Sequence, residues 1–171
     1  MLRVCRVKHL IFRAGDNGGV NKMGAQILAL LEQSENSLQV VKSLALAGYD
    51  VIACQTFTQA IAVLKKQPQL EMIISDVHLE NGGSVFDFLR WLKSDGAYAG
   101  TSLVLFSFRP TALAKHLEDG IRTAARILGV AKYLTMESFD SELFCKNIQS
   151  VLAEHHGVVD QQIDENIKVP F

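Results

Sequence analysis

The chain has 171 residues, of which 49% are hydrophobic and 20% are charged, and its formal net charge is -1. This composition is close to the globular average and excludes a collagen-like, mucin-like or wholly disordered protein. The apolar runs are far shorter than the roughly 20 residues of a membrane-spanning helix, so no membrane association is expected. We therefore expect one domain of ordinary size with a tail at each end.

Positive charge is concentrated near the N-terminus. Residues 1–25 carry five basic groups and one acid, whereas residues 26–156 carry eleven basic groups and fourteen acids. A domain that reads a nucleic acid presents a basic face, so we expect no nucleic-acid binding. Residues 1–25 contain several glycines and no helical period, which indicates a basic, flexible extension. Met23 directly precedes the first strand signal and is a candidate for the native start.

The cysteines and the N-terminus both bear on localisation. Cys5, Cys54 and Cys145 are odd in number and widely separated, without a Cys-x-x-Cys pair. Such cysteines fit a reducing compartment better than a disulfide framework or a zinc site. The apolar patch at residues 10–12 is too short for the core of a signal peptide. We therefore expect a cytoplasmic protein.

From residue 26 onward, short apolar runs alternate with segments of helical period, which predicts five βα units. The continuous apolar character of the strands is typical of a parallel sheet that helices cover on both faces. The predicted fold class is thus α/β, a five-stranded, doubly wound parallel sheet of the flavodoxin-like type. The predicted strands are 27–31, 51–54, 72–76, 103–107 and 131–135.

Helical spacing and end signals predict the intervening helices. Thr56 is expected to cap the second helix, and the segment 109–111 to open the fourth. The fourth helix is indicated by Leu113, Leu117, Ile121 and Leu128, and the fifth by Phe144, Ile148, Val151 and Leu152. The domain is expected to span residues 26–156, followed by a flexible tail at 157–171.

The carboxyl ends of parallel strands meet at one edge of the sheet, where open α/β proteins bind their ligands. At that edge the sequence places Glu32, Asp76, Ser107 and Met136. Two carboxylates there could hold a hard cation such as Mg²⁺, and a nearby hydroxyl could contact a phosphoryl oxygen. Taken alone, Asp76 could equally be a helix cap or a solvated loop charge.

The order of the units, together with residues 73–79 (IISDVHL), resembles the receiver domains of bacterial response regulators. In that family the aspartate after strand three accepts a phosphoryl group, an acidic pair holds Mg²⁺, and a Ser/Thr and a Lys complete the pocket. The resemblance implies that Asp76 is the phospho-acceptor, that Ser107 is the pocket hydroxyl, and that Tyr133 is the aromatic switch residue. It also implies a metal site formed by Glu32, Asp76 and the backbone carbonyl of His78.

Several positions depart from the family pattern. Leu31 stands where the first acid of the pair is expected, and Met136 stands where the lysine is expected. The loop after Asp76 is also one residue longer than usual. Losing a charge-assisted contact costs about 1.5–3 kcal/mol, so impaired or absent phosphorylation is expected. Arg109 and Lys132 are left open as substitute cations.

Three functions remain open at this point. The leading hypothesis is a stand-alone, non-enzymatic receiver-like signalling module that binds a protein partner, or a second copy, through its helix 4, strand 5, helix 5 face. The alternative is a working phospho-receiver that accepts a phosphoryl group on Asp76 from a histidine kinase or phosphotransfer protein, with Mg²⁺ in a weakened site. A small α/β enzyme or nucleotide binder lacks any supporting G-x-x-x-x-G-K, G-x-G-x-x-G or G-x-S-x-G motif.

Overall fold

The computed structural model describes residues 11–12, 24–31, 35–67, 69–77 and 84–166. Six strands and five helices form in these ranges, and a short 3-10 turn (Gly96–Tyr98) precedes the fifth strand. In chain order they are β1 (Ile11–Phe12), β2 (Gln26–Leu30), α1 (Glu35–Leu46), β3 (Asp50–Cys54), α2 (Phe57–Lys66), β4 (Met72–Asp76), α3 (Val85–Ser94), β5 (Ser102–Phe108), α4 (Ala112–Ile127), β6 (Lys132–Met136) and α5 (Ser141–Asn166).

The strands form one sheet in the order β1-β3-β2-β4-β5-β6. Strands β2 to β6 are parallel, which confirms the predicted five-stranded doubly wound sheet. From β2 the chain first adds β3 on one side and then crosses over to add β4 on the other side. This switch in strand order opens a crevice at the carboxyl ends of the strands. β1 pairs antiparallel with the outer edge of β3, through Ile11 with Ile52 and Phe12 with Val51.

Each parallel strand contributes side chains to two cores, one on each face of the sheet. On β2, Ile27 and Ala29 enter the core beneath α1 and α5, whereas Leu28 and Leu30 enter the core beneath α2 and α3. All four are fully buried. Because successive strand side chains point to opposite faces, a strand covered on both faces must be apolar throughout. The unbroken apolar runs of the sequence have this origin.

Hydroxyl side chains begin three of the helices, and those of α2 and α4 lie where the sequence predicts them. Thr56, Ser84 and Thr111 are the N-caps of α2, α3 and α4, and each hydroxyl oxygen accepts a backbone N–H two or three residues further on, at 3.2 Å. These bonds satisfy donors that the first turn of a helix leaves free. Gly48 follows α1 with a φ of +91°, a conformation that glycine adopts without steric cost.

Helix α4 forms as predicted, but two of the leucines that indicated it are exposed, whereas Leu128, at its C-terminal end, is partly buried against the core beneath α2 and α3. Leu113 is 68% exposed and Leu117 is 52% exposed, whereas the buried side chains of this helix are Ala114 and Ala125. Small alanine side chains let the helix lie close to the sheet but bury little apolar area. The apolar contacts of α4 with the sheet are therefore few, which leaves room for polar contacts to contribute to its position.

Both ends of the chain contain more regular structure than expected. β1 lies within the segment interpreted as a flexible extension, and α5 continues to Asn166 through the beginning of the expected tail. Gly157 does not end the helix, because one interior glycine costs only about 1 kcal/mol and α5 is anchored earlier by Phe144 and Ile148, both fully buried. No helix in the described ranges is long and apolar enough to cross a membrane.

Phe144 should be a principal anchor of α5. Its ring is fully buried and lies 5.3 Å from the ring of Phe106 and 5.5 Å from that of Phe139, measured between centroids. We expect Phe144→Ala to lower the free energy of unfolding by about 3–5 kcal/mol, because it removes buried hydrocarbon and leaves a cavity. Urea denaturation measures the change.

The matched control for Phe144→Ala is Leu46→Ala, which also truncates a large apolar side chain on a helix. Leu46 is 89% exposed, so its replacement should change the stability by no more than about 0.5 kcal/mol. Equal urea midpoints for the two variants would contradict the described packing of α5.

Candidate functional site

The structure brings three of the predicted site residues to the carboxyl edge of the sheet. Asp76 is the last residue of β4, Ser107 is near the end of β5, and Met136 is the last residue of β6. The strand register places Asp76 beside Phe106 and Met136 beside Phe108. These residues therefore lie on three neighbouring strands. Their functional roles stay predictions.

Two predicted metal ligands, Glu32 and His78, lie outside the described residues. Within the described part of the chain, no group of three or more His, Cys, Asp and Glu side chains could hold a metal ion. Leu31 is 5% exposed and belongs to the core beneath α1 and α5, at the position where the family has an acid. The acidic pair that the resemblance implies is therefore not present among the described residues. Of the predicted site carboxylates, Asp76 is the one that the described ranges include.

The site residues divide between the two faces of the sheet. Phe108 and Met136 belong with the core beneath α1 and α5, and the two-residue period from Ile74 puts Asp76 on that same face. Tyr133 packs with the opposite core, and the alternation along β5 puts Ser107 on that side too. The candidate phospho-acceptor and the candidate switch pair therefore reach the edge from opposite faces.

The face that Asp76 shares is filled with hydrocarbon. Met136 is 7% exposed, so its thioether side chain is packed into the protein instead of extending toward solvent. The ring of Phe106 lies 6.4 Å from that of Phe108 and 6.5 Å from that of Phe139. Met136, which stands where the resemblance implies a lysine, is thus part of an aromatic and thioether cluster.

The two open candidates for a substitute cation lie in different places. Lys132 is paired with Val104 at the start of β6, about 13 Å along the strand from Met136, so it is at the wrong end of the sheet. Arg109 follows β5 directly, with a φ of 47°, and its backbone N–H donates to the carbonyl of Met136 at 2.8 Å. Its guanidinium carbon lies 5.1 Å from the centroid of the Phe108 ring, so its charge is near the site edge.

Ser107 and Tyr133 form a second polar feature, on the side of the sheet that α4 covers. Ser107 is fully buried, and its Oγ has no hydrogen bond of normal geometry among the described residues. Desolvation raises the pKa of the Tyr133 phenol, and the nearby Ser107 hydroxyl opposes that rise. A buried hydroxyl without a well-formed hydrogen bond costs about 1–3 kcal/mol, so Ser107 would gain from an acceptor in better geometry than the Tyr133 hydroxyl.

A row of polar contacts joins α4 to the end of β6. Lys115 forms an ion pair with Glu137, which follows β6 directly. One carboxylate oxygen of Glu118 accepts the Thr135 hydroxyl at 2.9 Å. Arg122 donates to the carbonyl oxygen of Tyr133 at 3.2 Å. We call this set the α4–β6 zipper; its members are Lys115, Glu118 and Arg122 of α4, with Tyr133, Thr135 and Glu137 of the β6 segment.

The spacing of the zipper residues places the three members on α4 on one face of the helix and the three members of the β6 segment on one face of the strand. Positions separated by three and four residues share one face of a helix, and alternate residues share one face of a strand. The zipper was not anticipated from the sequence. The alternating charges along α4 are the sequence feature that could have indicated these contacts, but such a pattern is also typical of a solvated helix face.

Comparison with known proteins identifies the fold. No protein-family model matches the sequence, and no curated protein matches it. The chemotaxis response regulator CheY4 of Vibrio cholerae is 25% identical, with a TM-score of 0.61, over 75% of this chain and 98% of that one. A response regulator from Thermotoga maritima is 13% identical, with a TM-score of 0.61, over 76% of this chain and 98% of that one.

A third similar structure carries a metal ion. It is the receiver domain of a sensor histidine kinase from Pseudomonas aeruginosa, solved with magnesium coordinated in its active-site cleft. It is 18% identical, with a TM-score of 0.61, over 76% of this chain and 98% of that one. These similarities confirm that the chain has the CheY-like receiver fold, as the resemblance implied.

The contacts of Glu118 predict a pH dependence of stability. Hydrogen bonds from Arg122 and then Thr135 hold the pKa of the Glu118 carboxyl below its usual range. The ionised form is thus favoured in the folded state, so its contribution is complete above the unfolded-state pKa of about 4.3 and is lost as the pH falls through the lower folded value. The contribution should be below about 1 kcal/mol, because the zipper lies at the surface.

The measurement compares the wild type with Glu118→Gln by urea denaturation between pH 7 and pH 3. The wild type should be the more stable protein at pH 7, and the difference should shrink toward the acid end. A difference that stays constant over this range would show that the charge of Glu118 does not contribute.

Proposed function

We propose that this chain, which has the fold of a receiver domain, is a signalling module that binds a protein partner without requiring phosphorylation of Asp76. The observation that carries this proposal is the burial of Met136 at 7% exposure, on the face that Asp76 shares. An uncharged thioether among aromatic rings supports a pocket that lacks the cation of the phospho-receivers. The proposed activity is binding, not catalysis.

The electrostatics of phosphoryl transfer support the same proposal. The transition state spreads negative charge over the equatorial oxygens, so catalysis depends mainly on cations and donors held around them. Met136 and Leu31 supply neither. Two missing charge-assisted contacts of about 1.5–3 kcal/mol each would slow transfer by orders of magnitude. Any Mg²⁺ site formed with Glu32 would have one acid fewer than the family's pair.

The proposed partner surface is formed by α4, β6 and α5. Leu113 and Leu117 on α4 and Leu143 on α5 are all more than half exposed. Leu113 and Leu117 are four residues apart and so lie on one face of α4, and exposed apolar patches are typical of contact sites. Lys115 and Glu137 add charged groups that could orient a protein partner or a second copy.

The alternative is a working phospho-receiver, and one observation favours it. The Ser107 hydroxyl is buried without a hydrogen-bond partner of normal geometry, and a phosphoryl oxygen would be a suitable acceptor for it. Arg109, near the site edge, could then supply part of the missing positive charge. A histidine kinase or phosphotransfer protein would be the donor.

Intact mass spectrometry after incubation with Mg²⁺ and a small acyl-phosphate donor separates the two functions. We expect no phosphoryl adduct on the wild type, because the pocket lacks its cation. Met136→Lys places a positive charge at the end of β6, on the face of the sheet that Asp76 shares, and should produce an adduct that is absent from Met136→Lys/Asp76→Asn. An adduct on the wild type that Asp76→Asn removes would overturn the proposal and establish the phospho-receiver.

Partner binding should follow the α4 surface and not Asp76. In cross-linking and co-purification from the native cell, we expect Asp76→Asn to retain the partner of the wild type, whereas Leu113→Glu/Leu117→Glu should lose it by placing charge in an apolar contact. Both leucines are exposed, so the double variant should fold. Loss of the partner in Asp76→Asn alone would contradict phosphate-independent binding.

A further inference from the structure

We propose that Arg122 is a positioning residue that holds Tyr133 and α4 in one fixed arrangement without a phosphoryl group. This inference rests on the proposed function and specifies its regulation: the α4 surface is held in its binding arrangement by the zipper. It concerns a residue outside the set of site positions that the resemblance implies.

A single guanidinium contacts Tyr133 in two ways. Its Nη1 donates to the Tyr133 carbonyl oxygen at 3.2 Å, and its central carbon lies 4.6 Å from the centroid of the Tyr133 ring. The first contact ties the helix to the strand backbone, and the second covers the ring with a cation. The planar guanidinium can make both at once, which a lysine ammonium cannot do in the same geometry.

The guanidinium is itself held in place by its neighbours. Glu118, four residues earlier on α4, forms an ion pair with Arg122 and also accepts the hydroxyl of Thr135. A further Arg122 nitrogen lies 3.4 Å from the same hydroxyl oxygen. The side chain of Glu118 is 23% exposed and that of Arg122 is 45% exposed, so the network lies between helix and strand with one side open to water. Each contact restricts the others, which favours a single arrangement.

Polar contacts can determine the position of α4 because its apolar contacts are small. The buried side chains of the helix are Ala114 and Ala125, and alanine has little area to bury. The zipper supplies three polar contacts, one ion pair and two hydrogen bonds, along about two turns of the same helix. Removing the Arg122 cation should therefore change the mobility of α4 more than the global stability of the domain.

Tyr133 is enclosed from both sides in this arrangement. Arg122 covers its ring from α4, and Ser107 lies near its hydroxyl from β5. A tyrosine fixed in this way does not need an event at Asp76 to define its orientation. The binding surface around it is consequently expected to be present in the unmodified protein.

The test uses the full chain labelled with 3-fluorotyrosine and observed by ¹⁹F NMR. The chain has three tyrosines, and Tyr133→Phe assigns the signal of interest. In the wild type we expect one narrow Tyr133 signal that does not change when Mg²⁺ and an acyl-phosphate donor are added. In Arg122→Gln the signal should shift and broaden, and amide exchange in α4 should accelerate about tenfold relative to α1.

The matched control is Arg126→Gln, which removes the same charge one turn further along α4. Arg126 is exposed and takes no part in the zipper, so this variant should retain the Tyr133 signal and the exchange rates of the wild type. Arg122→Lys should resemble Arg122→Gln, because it keeps the charge but loses the planar group. Fluorescence of the one tryptophan, Trp91, checks that every variant is folded.

The outcomes separate this inference from the proposed function. If Arg122→Gln and Arg126→Gln give the same Tyr133 signal and α4 exchange, Arg122 is not a positioning residue. If the wild-type Tyr133 signal moves on treatment with the donor, the arrangement is not fixed and the inference is overturned. If an adduct forms on Asp76 while the Tyr133 signal stays unchanged, the proposed lack of phosphorylation fails but the role of Arg122 stands.

Discussion

The burial of the parallel strands on both faces is the constraint on which the rest of this structure depends. Helices cover the central strands completely, so side chains such as Ile27, Leu28, Ile73 and Ile74 are at most 1% exposed and uniformly apolar. Polar chemistry is thereby confined to the strand ends and to the loops that follow them. This explains why Asp76 and Ser107, on different units of the chain, reach the same edge of the sheet.

The same constraint applies at the carboxyl end of β6. A lysine at the end of β6 could extend past the sheet edge into water, but Met136 has no charge to solvate and folds into the neighbouring aromatic cluster. Phe108 and Phe139 contribute to the same cluster. The hydrophobic core therefore extends along β6 to Met136, the position where the resemblance implies a lysine.

Helix α4 differs from the apolar strands and from α5, because polar contacts contribute much of what holds it in place. Its buried alanines allow a close approach to the sheet without much apolar stabilisation, and its contacts with the β6 segment include one ion pair and several hydrogen bonds. Such contacts are individually weak at a surface but are directional, so together they specify a position more than they add stability. The exposed Leu113 and Leu117 are left available as a consequence of this arrangement.

Local patterns in the sequence predicted the strands, most helix starts and three residues at the described edge of the sheet. Apolar runs, N-cap hydroxyls such as Thr56 and Thr111, and strand-end positions are local signals, and parallel strand direction then brings Asp76, Ser107 and Met136 together. Only the tertiary structure decided that Leu113 is exposed, that Met136 is buried, and that Arg122 covers Tyr133. These features depend on the rotation of a helix about its axis and on its position relative to the sheet. That choice is made by contacts between residues distant in the chain, which no local pattern encodes.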